Sequence, residues 1–184
     1  QGTDDPKNSI YTESFNVPFL IRYPEKIRPR VDSTLLSTVD IMPTLLSMAG
    51  LAENIPDSAE GRDLSPVLLE NGKKCDIPSA ALYIRNVNGQ KDAEGMVRGF
   101  FPVARGIKTD RYTFEIAIKK NGSLAGITIF DDLNDPYQMN VIDYRKEPEL
   151  FRELLAILQS KLEEAVDICI LRRSLTLLSP RERE

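Results

Sequence analysis

The segment VARGIKTDRYTFEIAIKKNGSLAGITIF, residues 103–130, decides how this chain folds. It holds three runs of strand-forming residues, Val103–Thr109, Arg111–Lys119 and Gly126–Phe130, with Asn121-Gly122 between the last two. β-Branched and aromatic side chains suit a pleated surface, and Asn-Gly adopts the positive φ angles of a tight hairpin turn. With Ala80–Val87 upstream there are four strand candidates, for which an antiparallel sheet is the simplest arrangement. Downstream, apolar residues at 150, 151, 154, 155, 158, 162, 165 and 166 recur at helical spacing. They predict an amphipathic helix over 148–166, with Pro148 at N1 and Glu149 in the first turn, packed across the sheet.

Before residue 75 the texture is different. The run Val17-Pro18-Phe19-Leu20-Ile21-Arg22-Tyr23, ended by Pro24, has the pattern of a strand buried on both faces of an α/β sheet, and Pro18 suits only its first residues or an edge. Ser37 followed by Asp40 is a short-acid variant of the capping box. Pro43 divides the segment, which predicts a first turn at 38–42 and a main helix from Pro43 as N1 to Gly50 as C′. Leu64 to Leu69 reads as a short helix with Pro66 near its start, stopped by Asn71-Gly72. Residues 167–184 carry an apolar patch and alternating charges that specify no element.

Composition narrows the function classes. Of 184 residues, 41% are apolar and 28% charged, which is the balance of a globular chain. A net charge of -4 offers no basic surface for phosphates, so no nucleic acid partner is expected. No run approaches the ~20 apolar residues of a membrane span. The opening QGTDDPKNSIY has no signal-peptide regions and no Met, and it reads as a cut from a longer chain or as an engineered boundary. Histidine is absent, which removes Ser-His-Asp, Cys-His and His-metal chemistry from this segment. Cys75 and Cys169 are too few for a disulfide framework; unpaired thiols are expected, although their separation does not decide whether they pair.

Taken in order, several motifs point one way. Lys7, Tyr11 and the pair Glu13-Ser14, followed by the run ending Tyr23-Pro24, resemble a sulfatase pattern, with Asn16 where arginine is usual. Asp40-Ile41-Met42-Pro43-Thr44-Leu45-Leu46 with Ala49-Gly50 resembles that family's Pro-Thr-Leu-Leu helix. Gly61-Arg62-Asp63-Leu64-Ser65-Pro66 is similar to the segment that closes its large domain. Ala104 to Tyr112 is similar to its Arg-Thr-x-Arg-Tyr strand pair, and Phe130 to Asn140 to its Asp-Pro loop before the last helix. Together they cover roughly residues 7–166, and the chain resembles the C-terminal portion of an arylsulfatase-like member of the alkaline phosphatase superfamily.

The resemblance implies an α/β fold: residues 1–74 as the end of the large catalytic domain and residues 75–184 as a small α+β subdomain of about four antiparallel strands and a long helix. It implies hydrolysis of sulfate monoesters by a parent enzyme whose calcium and formylglycine lie outside this chain, which itself carries no metal ligands and no cofactor. The implied partners are the N-terminal catalytic part of the same polypeptide and a sulfated small molecule or carbohydrate. A typical bacterial parent would be periplasmic or secreted. A phosphoester or phosphonate hydrolase on the same scaffold, and a stand-alone binding module without catalysis, remain open alternatives.

Lys7 is the one active-site position carried over, as a sulfate contact; an ammonium donates charge-assisted hydrogen bonds to sulfuryl oxygens. Arg85, Arg98 and Arg105 are candidate substrate-binding residues, the first two bordering a loop over 86–100. Arg105, Lys108 and Arg111 read equally as a solvated strand face. Cys75 resembles the nucleophile motif only superficially, with one residue too many before Pro78 and Ala80 where arginine belongs. Asp4-Asp5 reads as a solvated loop, Asp40 as a helix cap, and Asp135-Pro136 as a turn device.

Overall fold

The computed structural model describes residues 9–69, 78–86, 90–91, 97–98, 103–119 and 123–165. In chain order its elements are α1 (Thr12–Phe15), a 3-10 turn (Thr38–Asp40), α2 (Ile41–Met48), a second 3-10 turn (Ala52–Asn54), α3 (Ser65–Leu69), β1 (Ala81–Arg85), β2 (Gln90–Lys91), β3 (Val97–Arg98), β4 (Val103–Lys108), β5 (Tyr112–Ile118), β6 (Leu124–Asp131) and α4 (Pro148–Glu164). The chain divides into two compact units, one of Pro18–Ala81 and one of Gln1–Val17 with Leu82–Glu184. The boundary expected between residues 74 and 75 and the stop at Asn71-Gly72 lie outside the described residues.

In the first unit the capping box forms as the sequence predicts. The Asp40 carboxylate accepts the Ser37 backbone N–H at 2.8 Å, and the Ser37 side chain answers to the backbone of Asp40. The helix, however, starts at Ile41 and not at Pro43. Pro43 sits in the first turn, where backbone N–H groups have no intrahelical partner, so its missing donor is not felt. At the other end Gly50 takes φ +76°, its N–H bonds to Ser47 at 3.0 Å, and Leu51 N–H reaches back to Leu46 at 2.9 Å. These two bonds make a Schellman motif, which explains the glycine.

Across from α2, the free oxygen of Asp40 accepts Arg62 N–H at 2.8 Å, and the Thr44 hydroxyl accepts Leu64 N–H at 3.0 Å. Those bonds hold the approach to α3, whose buried Val67 and Leu68 join Leu64 in a small core. The Arg30 guanidinium donates to the Val67 and Leu68 carbonyls at 3.0 and 3.1 Å, satisfying the C-terminal turn of α3.

The strand expected over 17–23 does not form. The segment forms no strand pairing, with Val17 67%, Phe19 42% and Leu20 92% exposed. A strand buried on both faces needs neighbours on both edges and helices on both sides, and no strand among the described residues pairs with it.

In the second unit four strands form one sheet in the order β1-β4-β5-β6, and β2 with β3 makes a separate hairpin inside what reads as a loop in the sequence. β4 and β5 pair antiparallel with Ile107 opposite Phe114, and β5 and β6 with Thr113 opposite Phe130. The ladder is irregular at Ala117/Ile118; the hairpin turn expected at Asn121-Gly122 lies outside the described residues.

Alternation along β5 puts Phe114 and Ile116 on one face and Thr113 and Glu115 on the other. The first face receives α4: Phe151 meets Phe114 edge-on at 6.0 Å, and Phe151, Leu154, Leu158 and Leu162 form its buried stripe. Burying each such side chain contributes roughly 1.5–3 kcal/mol. The helix begins at Pro148 as N1, as its sequence predicts.

Candidate functional site

Lys7 lies outside the described residues, as do Asp4-Asp5, Cys75 and Cys169. The peptide that follows Lys7 is described, and it covers the face of the sheet opposite α4. Ile10 is 5% exposed, the Tyr11 ring lies 5.5 Å from that of Phe130, and the Phe15 ring lies 5.8 Å from that of Tyr83. A four-residue helix has little stability of its own, so α1 exists because these contacts order it.

One polar chain runs from the sheet to this peptide. The Asp132 carboxylate, just past β6, is held through Oδ2 by the Lys108 ammonium and by the Thr113 hydroxyl at 2.6 Å. Its Oδ1 accepts Gln138 Nε2 at 2.7 Å. With the amide so fixed, Gln138 Oε1 accepts the Thr12 backbone N–H at 2.6 Å. Gln138 is 5% exposed and holds φ +52°, the only positive φ at a non-glycine among the described residues. The turn that delivers it is built by Asp135, whose carbonyl accepts Gln138 N–H at 2.9 Å and whose carboxylate accepts Asn140 N–H at 2.6 Å. Backbone N–H bonds from Met139 and Asn140 hold the Asp135 carboxyl below its ordinary range, so the reading of Asp135-Pro136 as a turn device stands.

Two of the candidate arginines are engaged inside the sheet. Arg85 on β1 is 7% exposed and donates to Glu115 Oε1 at 3.3 Å, while Oε2 lies 3.2 Å from Nη1 without hydrogen-bond geometry. Burial raises the Glu115 carboxyl above its ordinary range, and the Arg85 charge opposes that rise. Burial likewise raises the Tyr83 hydroxyl nearby.

Arg105 is 3% exposed and donates to Asn86 Oδ1 and to the Ala104 carbonyl, both at 2.9 Å. The solvated strand face read for Arg105, Lys108 and Arg111 is therefore corrected: Arg105 is buried, Lys108 is half-buried on Asp132, and only Arg111 is exposed, paired with Asp131 at 2.7 Å. Strand alternation cannot reveal this, because both faces of this sheet are covered. Arg98 lies on β3, opposite Gln90 of β2. Thus the structure joins Arg85 to Glu115 and Arg105 to Asn86.

Asp40 is the cap read from the sequence. Among the described residues no group of three or more His, Cys, Asp or Glu is placed to hold a metal ion, and no helix is long and apolar enough to cross a membrane. Gln138, Asp132 and Glu115 went unnoticed as functional or structural centres in the sequence. No local signal marks them, since the Gln138 to Thr12 bond joins residues 126 positions apart.

Comparison with known proteins gives this geometry its context. Residues 5–167 match the family described as N-sulphoglucosamine sulphohydrolase, C-terminal. The chain is 46% identical over 168 residues to an endo-4-O-sulfatase of Bacteroides thetaiotaomicron, covering 91% of this chain and 33% of that protein. It is 32% identical to a ulvan-active sulfatase of Formosa agariphila, covering 88% of this chain and 29% of that protein. Among solved structures, a 4S-sulfatase from work on glycosaminoglycan metabolism by Bacteroides thetaiotaomicron superposes with a TM-score of 0.84 at 43% identity, over 97% of this chain and 37% of that one. A second, solved in complex with its substrate D-glucosamine-2-N,6-O-disulfate, has a TM-score of 0.60 at 25% identity, over 81% of this chain and 28% of that one. The chain spans about a third of the length of the curated relatives it matches. With the four-stranded sheet and the helix across it as the motifs imply, the chain belongs to the sulfatase family, as a C-terminal portion of the N-sulphoglucosamine sulphohydrolase type.

Proposed function

We propose that this chain completes a sulfuric ester hydrolase that removes sulfate from a sulfated carbohydrate. The observation that carries the reading is 46% identity across 91% of the chain to a protein named as an endo-4-O-sulfatase. Residues 1–74 finish the large domain, residues 75–184 form the closing subdomain, and the partner is the N-terminal catalytic part of the same polypeptide. Lys7 contacts the substrate's sulfuryl oxygens, where a fixed ammonium stabilises the charge that develops as the ester bond breaks. Arg98, on the hairpin, is retained as a substrate contact; Arg85 and Arg105 serve the sheet.

Calcium and a formylglycine are implied by the sulfatase resemblance. Among the described residues no group of three or more His, Cys, Asp or Glu is placed to hold the calcium, and we place both groups on the remainder of the parent. The chain's own contribution is to bind and orient.

The test is an assay of the full-length parent on matched sulfate and phosphate esters and on sulfated oligosaccharides. Sulfate release that is selective over phosphate, and that falls at least ~10²-fold in kcat/KM in Lys7→Ala, is the expected result. Preference for the phosphate ester would move the parent to the phosphoester hydrolases. An unchanged Lys7→Ala would remove Lys7 from the site. The chain by itself is expected to show no turnover.

A further inference from the structure

The loop over residues 132–142, which joins β6 to α4, is turned inside out. Its polar side chains serve its own framework. The Asp131 carboxylate at its start accepts Asn134 N–H at 3.3 Å and Asn134 Nδ2 at 2.9 Å, Asp132 accepts Gln138 Nε2 at 2.7 Å, and Asp135 accepts Asn140 N–H at 2.6 Å. Ile142 N–H then bonds to the Ile129 carbonyl at 2.9 Å, which closes the loop onto β6. The large apolar side chains are the ones left in water: Leu133 is 71% exposed, Tyr137 81%, Met139 61% and Val141 57%.

Single exposed apolar residues are ordinary on a protein surface, whereas a set of them within one short loop marks an interaction site. A flexible loop would fold such side chains back onto the protein, since burying each contributes roughly 1.5–3 kcal/mol. This loop cannot, because its hydrogen bonds fix the backbone that carries them. The side chains are held ready, and a surface ordered in advance loses little entropy when it is covered.

Connectivity indicates what covers it. Gln138, inside the loop, bonds through its amide oxygen to Thr12 N–H at 2.6 Å, so the loop lies beside the peptide by which the chain enters this unit. The chain spans about a third of the length of the curated relatives it matches, and polypeptide that precedes this peptide in a parent is delivered next to the loop. A surface on the same polypeptide is present at high effective concentration and outcompetes a second copy. We propose that the loop over residues 133–141 is a docking surface for the N-terminal catalytic part of the same polypeptide, with Leu133, Tyr137, Met139 and Val141 covered by an apolar surface of that part. This rests on the reading that the chain completes a larger sulfuric ester hydrolase.

The experiment is oxidation of Met139 by dilute hydrogen peroxide in the full-length parent, followed by mass spectrometry of the loop peptide, with the same peptide cut free of the protein as the open reference. A covered thioether reacts slowly, so Met139 sulfoxide is expected to form at least about 10-fold more slowly in the parent than in the free peptide. A rate within about threefold of the free peptide would overturn the proposal. So would protection that fades on dilution, which assigns the loop to a second copy of the protein. A second measurement uses Tyr137→Lys with Met139→Lys, which should leave the thermal midpoint of this chain unchanged and lower that of the parent by ~3 °C or more, because a charge in an apolar interface has no partner. An unchanged parent midpoint overturns the proposal equally. Sulfate release is assayed on the same parent preparation: protection of Met139 without release supports the surface and strikes the reading of the activity, whereas release with Met139 open strikes the surface alone.

Discussion

Arg85 and Glu115 form a buried ion pair that crosses a strand. Arg85 is on β1 and Glu115 on β5, with β4 between them in the sheet. The β4 residue opposite Glu115 is Gly106, and a Cβ there would meet the Phe114 carbonyl oxygen at 2.3 Å. The missing side chain thus serves two ends, since it lets β5 approach closely and leaves the arginine a path over β4.

Removing one member of this pair strands the other charge in a dry place. Glu115→Ala or Arg85→Ala is expected to destabilise by about 3–5 kcal/mol, read from urea unfolding of the purified protein. Replacing both, as Arg85→Met with Glu115→Leu, should recover most of that loss, because neither charge then has to be buried. A double variant as unstable as the worse single one would show that the pair is worth more than its desolvation.

Gly61 is the second glycine whose side chain has no room. An added Cβ would lie 1.9 Å from the Val39 carbonyl oxygen and 2.8 Å from the Asp40 backbone nitrogen, both immovable backbone atoms. Gly61→Ala must push the loop away from the 3-10 turn Thr38–Asp40 and loosen the Arg62 to Asp40 bond. A loss of roughly 1–3 kcal/mol is expected, measured as a lower denaturation midpoint.

Acid should weaken the sheet end through Asp131. Its carboxyl is held at about 2 in the folded state, against an ordinary 3.8, first by the Arg111 guanidinium and then by Asn134, over the opposing effect of burial. A depressed carboxylate gives stability that is present above the unfolded value and lost as pH falls through the folded one. The decline therefore falls between pH about 4 and about 2, and Asp131→Asn should show a smaller decline than wild type over that window in pH-resolved urea melts. Identical profiles would mean the exposed Arg111 does not hold the carboxylate in solution.

Leu20 separates the chain from its proposed parent. At 92% exposure Leu20→Lys should leave the thermal midpoint of this chain unchanged and raise its solubility. In the full-length parent the same change should destabilise by about 2 kcal/mol or more, because a side chain covered by neighbouring strands and helices cannot accept a charge without penalty. Neutrality in the parent would show that the 17–23 run is exposed there too.

Much of this protein was readable one turn or one strand at a time. Ser37 and Asp40 lie three residues apart and bond to each other's backbone; Gly50 ends its helix because its own φ must be positive; Phe151, Leu154, Leu158 and Leu162 recur at the period of the helix they build. Each of these signals acts within a few residues, so the sequence alone carries it. The same holds for the alternating runs that became β4, β5 and β6, although alternation could not say that both faces would be covered.

Tertiary structure decided what depends on distant partners. Val17 to Tyr23 has the composition of a central strand, but composition cannot provide the neighbours a strand must pair with. Arg85 and Arg105 read as substrate-binding candidates because their partners, Glu115 and Asn86, lie 30 and 19 positions away and leave no local signal. Thr12 and Gln138 meet only once the sheet has formed, since the directional bond between them needs both backbones already placed. A side chain's type is written in the sequence, whereas the group it faces is chosen by the fold.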